Sequence, residues 1–353
     1  MKKPICLTEC TVPLLIVALG CRPDAGVIEP DTRWDRVGVT LASAEYSQWS
    51  APVNLGSVVN STANDLAAEM SKDGLSLYFA SNRAGGFGAN DIYVSRRATV
   101  DDPWGTPVNL GPVINTAFGD AGPHLSRDGH LLFFTSGRPG FGANDIWVSR
   151  RTNTNDDFGW ETPVNLGPPV NTADSELGPN LRRPEFYFWR GPGTAGDIYV
   201  SRMNGDDFDV PVAIAELNSP GHDEKPSIRF DGHEIYLASN RDGGVGDLDL
   251  WVSTRKSNGD AWESPVNLGL TINTTSQDRR PALSTDGTML FFDSNRPGGV
   301  GNLDLYVTTR TRGGQSPVKA PNVAPGAAPS AAKAARTADR TAANPATGSR
   351  GDR

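Results

Sequence analysis

The 353 residues contain only three cysteines, Cys6, Cys10 and Cys21, all at the N-terminus. The remaining chain therefore offers no disulfide framework and no cysteine-based zinc site. Histidine is scarce, at four residues, and neither a serine-nucleophile elbow nor a phosphate-binding loop is written anywhere. No apolar run reaches the roughly 18 residues that a membrane-spanning helix needs. Convincing helical periodicity is missing from the repetitive middle of the chain. Hydrophobic residues make up 37% of the sequence, against 39 glycines and 27 prolines. That balance favours many short strands joined by turns. The formal net charge is −8, and because both ends are basic the acidic excess falls on the middle. An acidic body disfavours nucleic acid or anionic lipid as its ligand.

What is present is repetition. "GFGANDIYVSRR" at 86–97 returns at 140–151 with one residue changed. Its aspartate recurs as Asp91, Asp145, Asp197, Asp249 and Asp304, at spacings of 52 to 55 residues. A second marker alternates with it: an aromatic residue followed by a Pro-Val pair, at Trp49, Trp104, Trp160, Phe208 and Trp262. A third, "SKDG", "SRDG", "RFDG" and "STDG", begins at 71, 126, 229 and 284, and the third copy carries "RRPEF" in its place. Each unit holds four short runs rich in branched and aromatic residues, bounded by Gly, Asn, Asp and Pro. Four antiparallel strands at a period of about 54 residues predict the blades of an all-β, five-bladed propeller over 49–310. The tryptophan strand comes first, and the last unit lacks one. Trp49–Leu55 is therefore expected to complete the final blade and close the ring.

The pattern "LSxDGxxLyFaSnRxGGxGxxDiyvsxR" resembles the TolB-type periplasmic propeller repeat, often called the Pro-Asp repeat. The resemblance spans about 49–310. Nothing here matches the separate N-terminal domain of TolB, so a role in the Tol system does not carry over. The N-terminus adds Lys2 and Lys3, the apolar run "VPLLIVALG" and then Cys21. "ALGC" resembles a bacterial lipobox, which implies export with lipidation of Cys21. Residues 1–21 are thus expected to form the signal peptide, 22–48 a linker and 311–353 a disordered, Ala/Pro-rich basic tail. The expected location is the periplasm, with the protein lipid-anchored to the outer membrane. The anchor is the only expected membrane contact.

Arg83, Arg138, Arg190, Arg241 and Arg296 recur in step with the five repeat aspartates. Residues required in every blade are expected to build it, the Asp accepting backbone N–H groups or pairing with Arg. "NDD" and "GDLDL" admit a weak calcium reading, although no twelve-residue calcium loop is present. No other cofactor is implied. A further motif, N-[ST]-x-x-x-[DE], precedes each innermost strand and ends in Asp65, Asp120, Glu176, Asp223 and Asp278. Repetition gives it a structural reading, since Asn and Asp stabilise turns. Its functional alternative is a ring of five acids around one mouth of the central channel.

The residues that break the repeat near that mouth, His124, Asn180, Glu224, Lys225, Arg279 and Arg280, would make the rim chemically asymmetric. His222 and His233 read as loop residues without partners, and the aromatics of "FYFWRG" (186–191) as packing. Three functions remain: a monomeric binding scaffold for an envelope protein or glycan, a glycoside hydrolase using two carboxylates about 5–9.5 Å apart, and a structural lipoprotein without a specific ligand.

Overall fold

The computed structural model describes residues 46–192, 195–313 and 320–322. The proposed signal peptide and Cys21 lie outside the described residues, as do most of the linker and most of the tail. Five antiparallel sheets form the described body. Blade one runs Asp65–Met70, Ser76–Ser81, Asp91–Arg96 and Val108–Asn109. Blade two runs Asp120–Leu125, Leu131–Ser136, Asp145–Arg150 and Val164–Asn165. Blade three begins with Glu176–Arg182, Glu185–Arg190 and Asp197–Asn204. Its edge is Val212–Ala213, and Asp207–Phe208 adds a small hairpin to the end of its third strand. Blade four runs Asp223–Ile228, Glu234–Ser239, Asp249–Thr254 and Val266–Asn267. Blade five has Asp278–Leu283, Met289–Ser294 and Asp304–Thr309, and takes Val53–Asn54 as its outermost strand. The expected closure is therefore present, with Val53 opposite Val307 and Asn54 opposite Tyr306. The pairing continues into the lead-in, where Tyr46 bridges Arg312, so the last expected linker residues sit against blade five. Among the described residues, α-helix is confined to the single turn Gly56–Val59.

The second strand of each blade is buried on both faces, as its near-continuous apolar sequence requires. Leu77, Tyr78 and Phe79 are fully buried, as are Phe134, Phe188, Leu237 and Phe292 of the other blades. Five apolar clusters fill the gaps between neighbouring blades around the ring. Each large side chain contributes roughly 1.5–3 kcal/mol on burial. No single sheet could cover both of its own faces.

The outer edge of four blades is fixed by one arginine stacked on one tryptophan. Arg97 lies 4.3 Å from the Trp104 ring centre, Arg151 4.4 Å from Trp160, Arg255 4.3 Å from Trp262 and Arg310 4.5 Å from Trp49. Each arginine also donates to the carbonyl of its blade's turn glycine, Gly74, Gly129, Gly232 or Gly287. Trp49 thus stands in blade five where Trp104 stands in blade one, although it opens the repeat region. Blade three replaces both partners together: Met203 faces Phe208 there, so an apolar pair substitutes for the cation–π pair.

The repeated "GFGAND" phrase is a building part. Asp91 accepts the backbone N–H groups of Phe87 and Gly88 and the side-chain amide of Asn109. A Cβ on Gly88 would overlap the carbonyl oxygen of Phe118 at the start of the next blade. Only glycine permits that approach between blades. Trp49→Ala should remove both the stack and the closing contact. The expected loss is about 3–5 kcal/mol of folding free energy, read as a lower urea midpoint.

Candidate functional site

Each N-[ST]-x-x-x-[DE] motif folds into a buried clamp. The Asn side chain donates to and accepts from the third strand of the preceding blade; Asn115, for example, bonds both the N–H and the carbonyl of Ile92. The Ser or Thr gives its N–H and hydroxyl to the acid four residues on, as Thr116 does to Asp120 at 2.6 and 2.8 Å. The acid's other oxygen pairs with the recurring arginine of the same blade. Arg83–Asp65, Arg138–Asp120, Arg241–Asp223 and Arg296–Asp278 lie at 2.5–2.8 Å. In blade three Arg190 pairs with Glu176 at 2.8 Å. All five carboxylates have 0% exposure. This geometry fits the structural reading of the motif and not its alternative, an open ring of acids: their oxygens are engaged inside the blades, and a buried carboxylate needs such partners. The recurring arginines pair with these acids, not with Asp91 and its equivalents. The carboxylate-rich "NDD" is likewise committed, because Asp157 accepts from Ser76, Tyr78, Arg96 and Arg151.

The residues that break the repeat behave differently. Every innermost strand carries a bulge. The third residue of each, Ala67, Gly122, Gly178, Lys225 or Arg280, has positive φ between 48 and 61°. All five line one cavity of about 190 Å³ at the channel mouth. Three of them are small and leave the space that the two long cations enter. For a lysine or arginine the left-handed backbone is strained by about 1–3 kcal/mol, a cost concentrated at functional sites.

Arg279 Nε and Arg280 Nη1 both lie 3.1 Å from Asp293 Oδ2. The other oxygen of Asp293 accepts the N–H of Ala67 in blade one. Sequence reading did not single out Asp293. Its signal was a departure in the second strand, where other blades have Ala80, Thr135, Trp189 and Ala238. Glu224 is buried. Burial raises its pKa, but Arg280, the His222 hydrogen bond and Arg279 outweigh that and hold it down to about 2. His222 is not the partnerless loop residue expected. Its Nδ1 accepts the Gly196 N–H at 2.9 Å, which leaves Nε2 to donate to Glu224 at 3.2 Å. His233 stays half exposed, 3.8 Å from Asp231.

Deeper in the channel, His124 Nδ1 lies 3.0 Å from Glu69 and 3.3 Å from Asn180. Glu69 and Asn180 each also accept a backbone N–H from the next blade, those of Leu125 and Ile228. This layer ties blades one to four together across the channel.

Lys225 is 2% exposed and its ammonium has no hydrogen-bond partner. His124 Nε2 and Glu224 Oε1 also lack a hydrogen-bond partner, but those side chains have another polar atom engaged, and Lys225 does not. Its side chain runs over Gly178 beside Trp189. Burial pushes its pKa below the ordinary lysine range, while Glu69, Asp293 and Glu224 partly oppose that and Arg280 adds to it. A buried unpaired amine is costly unless something else meets it. The opposite mouth holds a larger cleft of about 560 Å³, where Arg127 lies 3.3 Å from the Phe230 ring centre. There Arg229 is paired with Asp231, and Lys72 and Arg127 are exposed to solvent. The smaller cavity is therefore the better candidate despite its size. Among the described residues no three His, Cys, Asp or Glu side chains converge as a metal site.

The fold and this asymmetric mouth define a five-bladed propeller with one chemically distinct channel opening. No family model matches the chain, and no curated protein matches it. Solved structures share the fold. The catalytic domain of the Coprinopsis cinerea GH62 α-L-arabinofuranosidase is 12% identical over 76% of this chain and 98% of its own, with a TM-score of 0.52. The α-L-arabinofuranosidase from Lactobacillus brevis is 15% identical over 75% and 98%, with a TM-score of 0.51. A putative TolB from Agrobacterium tumefaciens is 16% identical over 76% and 98%, with a TM-score of 0.45.

Two outcomes follow from the geometry. Lys225→Met removes an unmet polar group and should stabilise the protein by about 1–3 kcal/mol, raising Tm by a few degrees. Glu224 has a depressed folded pKa, so its stabilising contribution is full above the ordinary value of 4.5 and is lost as pH falls toward about 2. Glu224→Gln should flatten the fall of Tm across that window in scanning calorimetry.

Proposed function

We propose that this chain is a non-catalytic recognition module of the cell envelope, a TolB-like repeat protein tethered through Cys21, that takes the end of a glycan at the inner-strand mouth. One observation carries this reading. The carboxylate–arginine clamps that repeat five times are paired within the fold, whereas the residues that break the repeat gather at one mouth and include the unpartnered Lys225. The cavity also mixes cations with the apolar walls Leu66, Leu177 and Trp189, as small-ligand sites do. Glycoside hydrolysis needs an acid that is protonated at working pH. Asp65, Asp120 and Asp223 are buried and each paired with an arginine inside its blade, which favours the ionised form and not the acid.

Calorimetry with neutral and acidic envelope-glycan fragments tests the reading. Binding without shortening of the fragments is expected, abolished by Ala121→Trp at the mouth and unchanged by Arg127→Ala at the far end. Binding indifferent to Ala121→Trp, or fragments cleaved during incubation, would refute it. The tether is tested separately: Cys21→Ser should move the protein from the membrane to the soluble fraction, and retention on the membrane would remove the lipid anchor from the proposal.

A further inference from the structure

The channel-mouth cavity has three properties that together specify a charge. It is small, about 190 Å³, or the share of roughly six water molecules. Two cationic side chains line it, Lys225 and Arg280. The Lys225 ammonium is buried and meets no acceptor. The acids nearby have contacts of their own. Asp293 holds both Arg279 and Arg280, Glu224 accepts from His222 while its Oε1 has no hydrogen-bond partner, and Glu69 faces His124. None of these acids forms an ion pair with Lys225. The backbone, moreover, carries a lysine at φ 48° where the matching positions of blades two and three have glycine. A strained, buried and unmet ammonium is a group that an anion from outside would satisfy.

We propose that Lys225 and Arg280 form a subsite for a single carboxylate carried on a sugar ring, so that the glycan recognised under the reading above ends in or exposes a uronate. The size of the cavity favours one sugar residue over a polymer segment. Its remaining wall suits hydroxyls and a ring face: Asn90, Asn144 and Thr135 offer neutral hydrogen-bonding groups beside Trp189. A phosphate dianion fits less well, because Glu69, Glu224 and Asp293 already act electrostatically on the same ammonium and oppose a second negative charge. The equivalent place in blades one, two and three, at Ala67, Gly122 and Gly178, carries no cation, so the anion is held from the side of blades four and five.

The test uses the whole protein and defined probes in isothermal calorimetry: galacturonate, glucuronate, galactose, glucose, acetate and inorganic phosphate. A uronate should bind with a Kd near or below about 1 mM. The matching neutral sugar and acetate should each bind at least about tenfold more weakly. Lys225→Met should cost at least about tenfold in uronate affinity while leaving the weak neutral-sugar binding in place. Lys225→Gly, which suits the left-handed backbone, should do the same and guards against a packing artefact of methionine. Phosphate or acetate binding as tightly as the uronate, equal affinity for uronate and neutral sugar, or no uronate binding would each overturn the subsite. So would uronate affinity unchanged in both Lys225 variants. If in that last case Ala121→Trp still abolishes binding, the recognition reading survives without the subsite; if Ala121→Trp has no effect either, both fall.

Discussion

The propeller depends on a carboxylate that has no access to water. Asp65 and its four counterparts join three pieces of chain at one point: the turn before the innermost strand, the strand itself, and the arginine that follows the second strand. An ionised group buried this fully is tolerable only when both of its oxygens are met by donors. The turn N–H, the hydroxyl and the guanidinium meet them. Because the Asn of the same motif bonds the third strand of the preceding blade, the clamp also fixes how one blade sits on the next. Five such clamps set the width of the channel mouth, and with it the space that the remaining residues enclose.

Against that regular frame the irregular residues acquire meaning. Bulges with positive φ point the third residue of all five innermost strands into the same cavity. Where that residue is alanine or glycine the cavity is open, and where it is Lys225 or Arg280 the cavity becomes cationic. Asp293 in blade five then organises the two arginines and bonds to blade one. Rigid repeats and one exceptional sector are a general way to place a few polar groups accurately on a stable scaffold.

Blade three shows how far the repeat can bend. It has no SxDG turn, and its Arg–Trp stack has become Met203 and Phe208. The aromatics Phe186 to Phe188 fill its gaps instead and are fully or almost fully buried, as their sequence suggested. Trp189 is the exception within that run: it packs edge-on to His222 at 5.0 Å and reaches the cavity wall. A chain-local reading could not separate it from Tyr187, which lies on the same face of the strand and is buried.

The sequence alone determined the number of blades, their strands and the closure by the Trp49 segment. Those follow from periodicity and from strand propensity, which are local properties repeated five times. It also placed Glu224, Lys225, Arg279 and Arg280 near one mouth, because departures from a repeat are visible against the repeat. Tertiary structure alone decided which polar groups remained unmet. Whether Asp120 faces the channel or Arg138, and whether Lys225 has a partner, depends on distances between blades tens of residues apart. The roles of His222 and Glu69 stayed invisible for the same reason: their significance lies in what they touch, and no spacing along the chain encodes that contact.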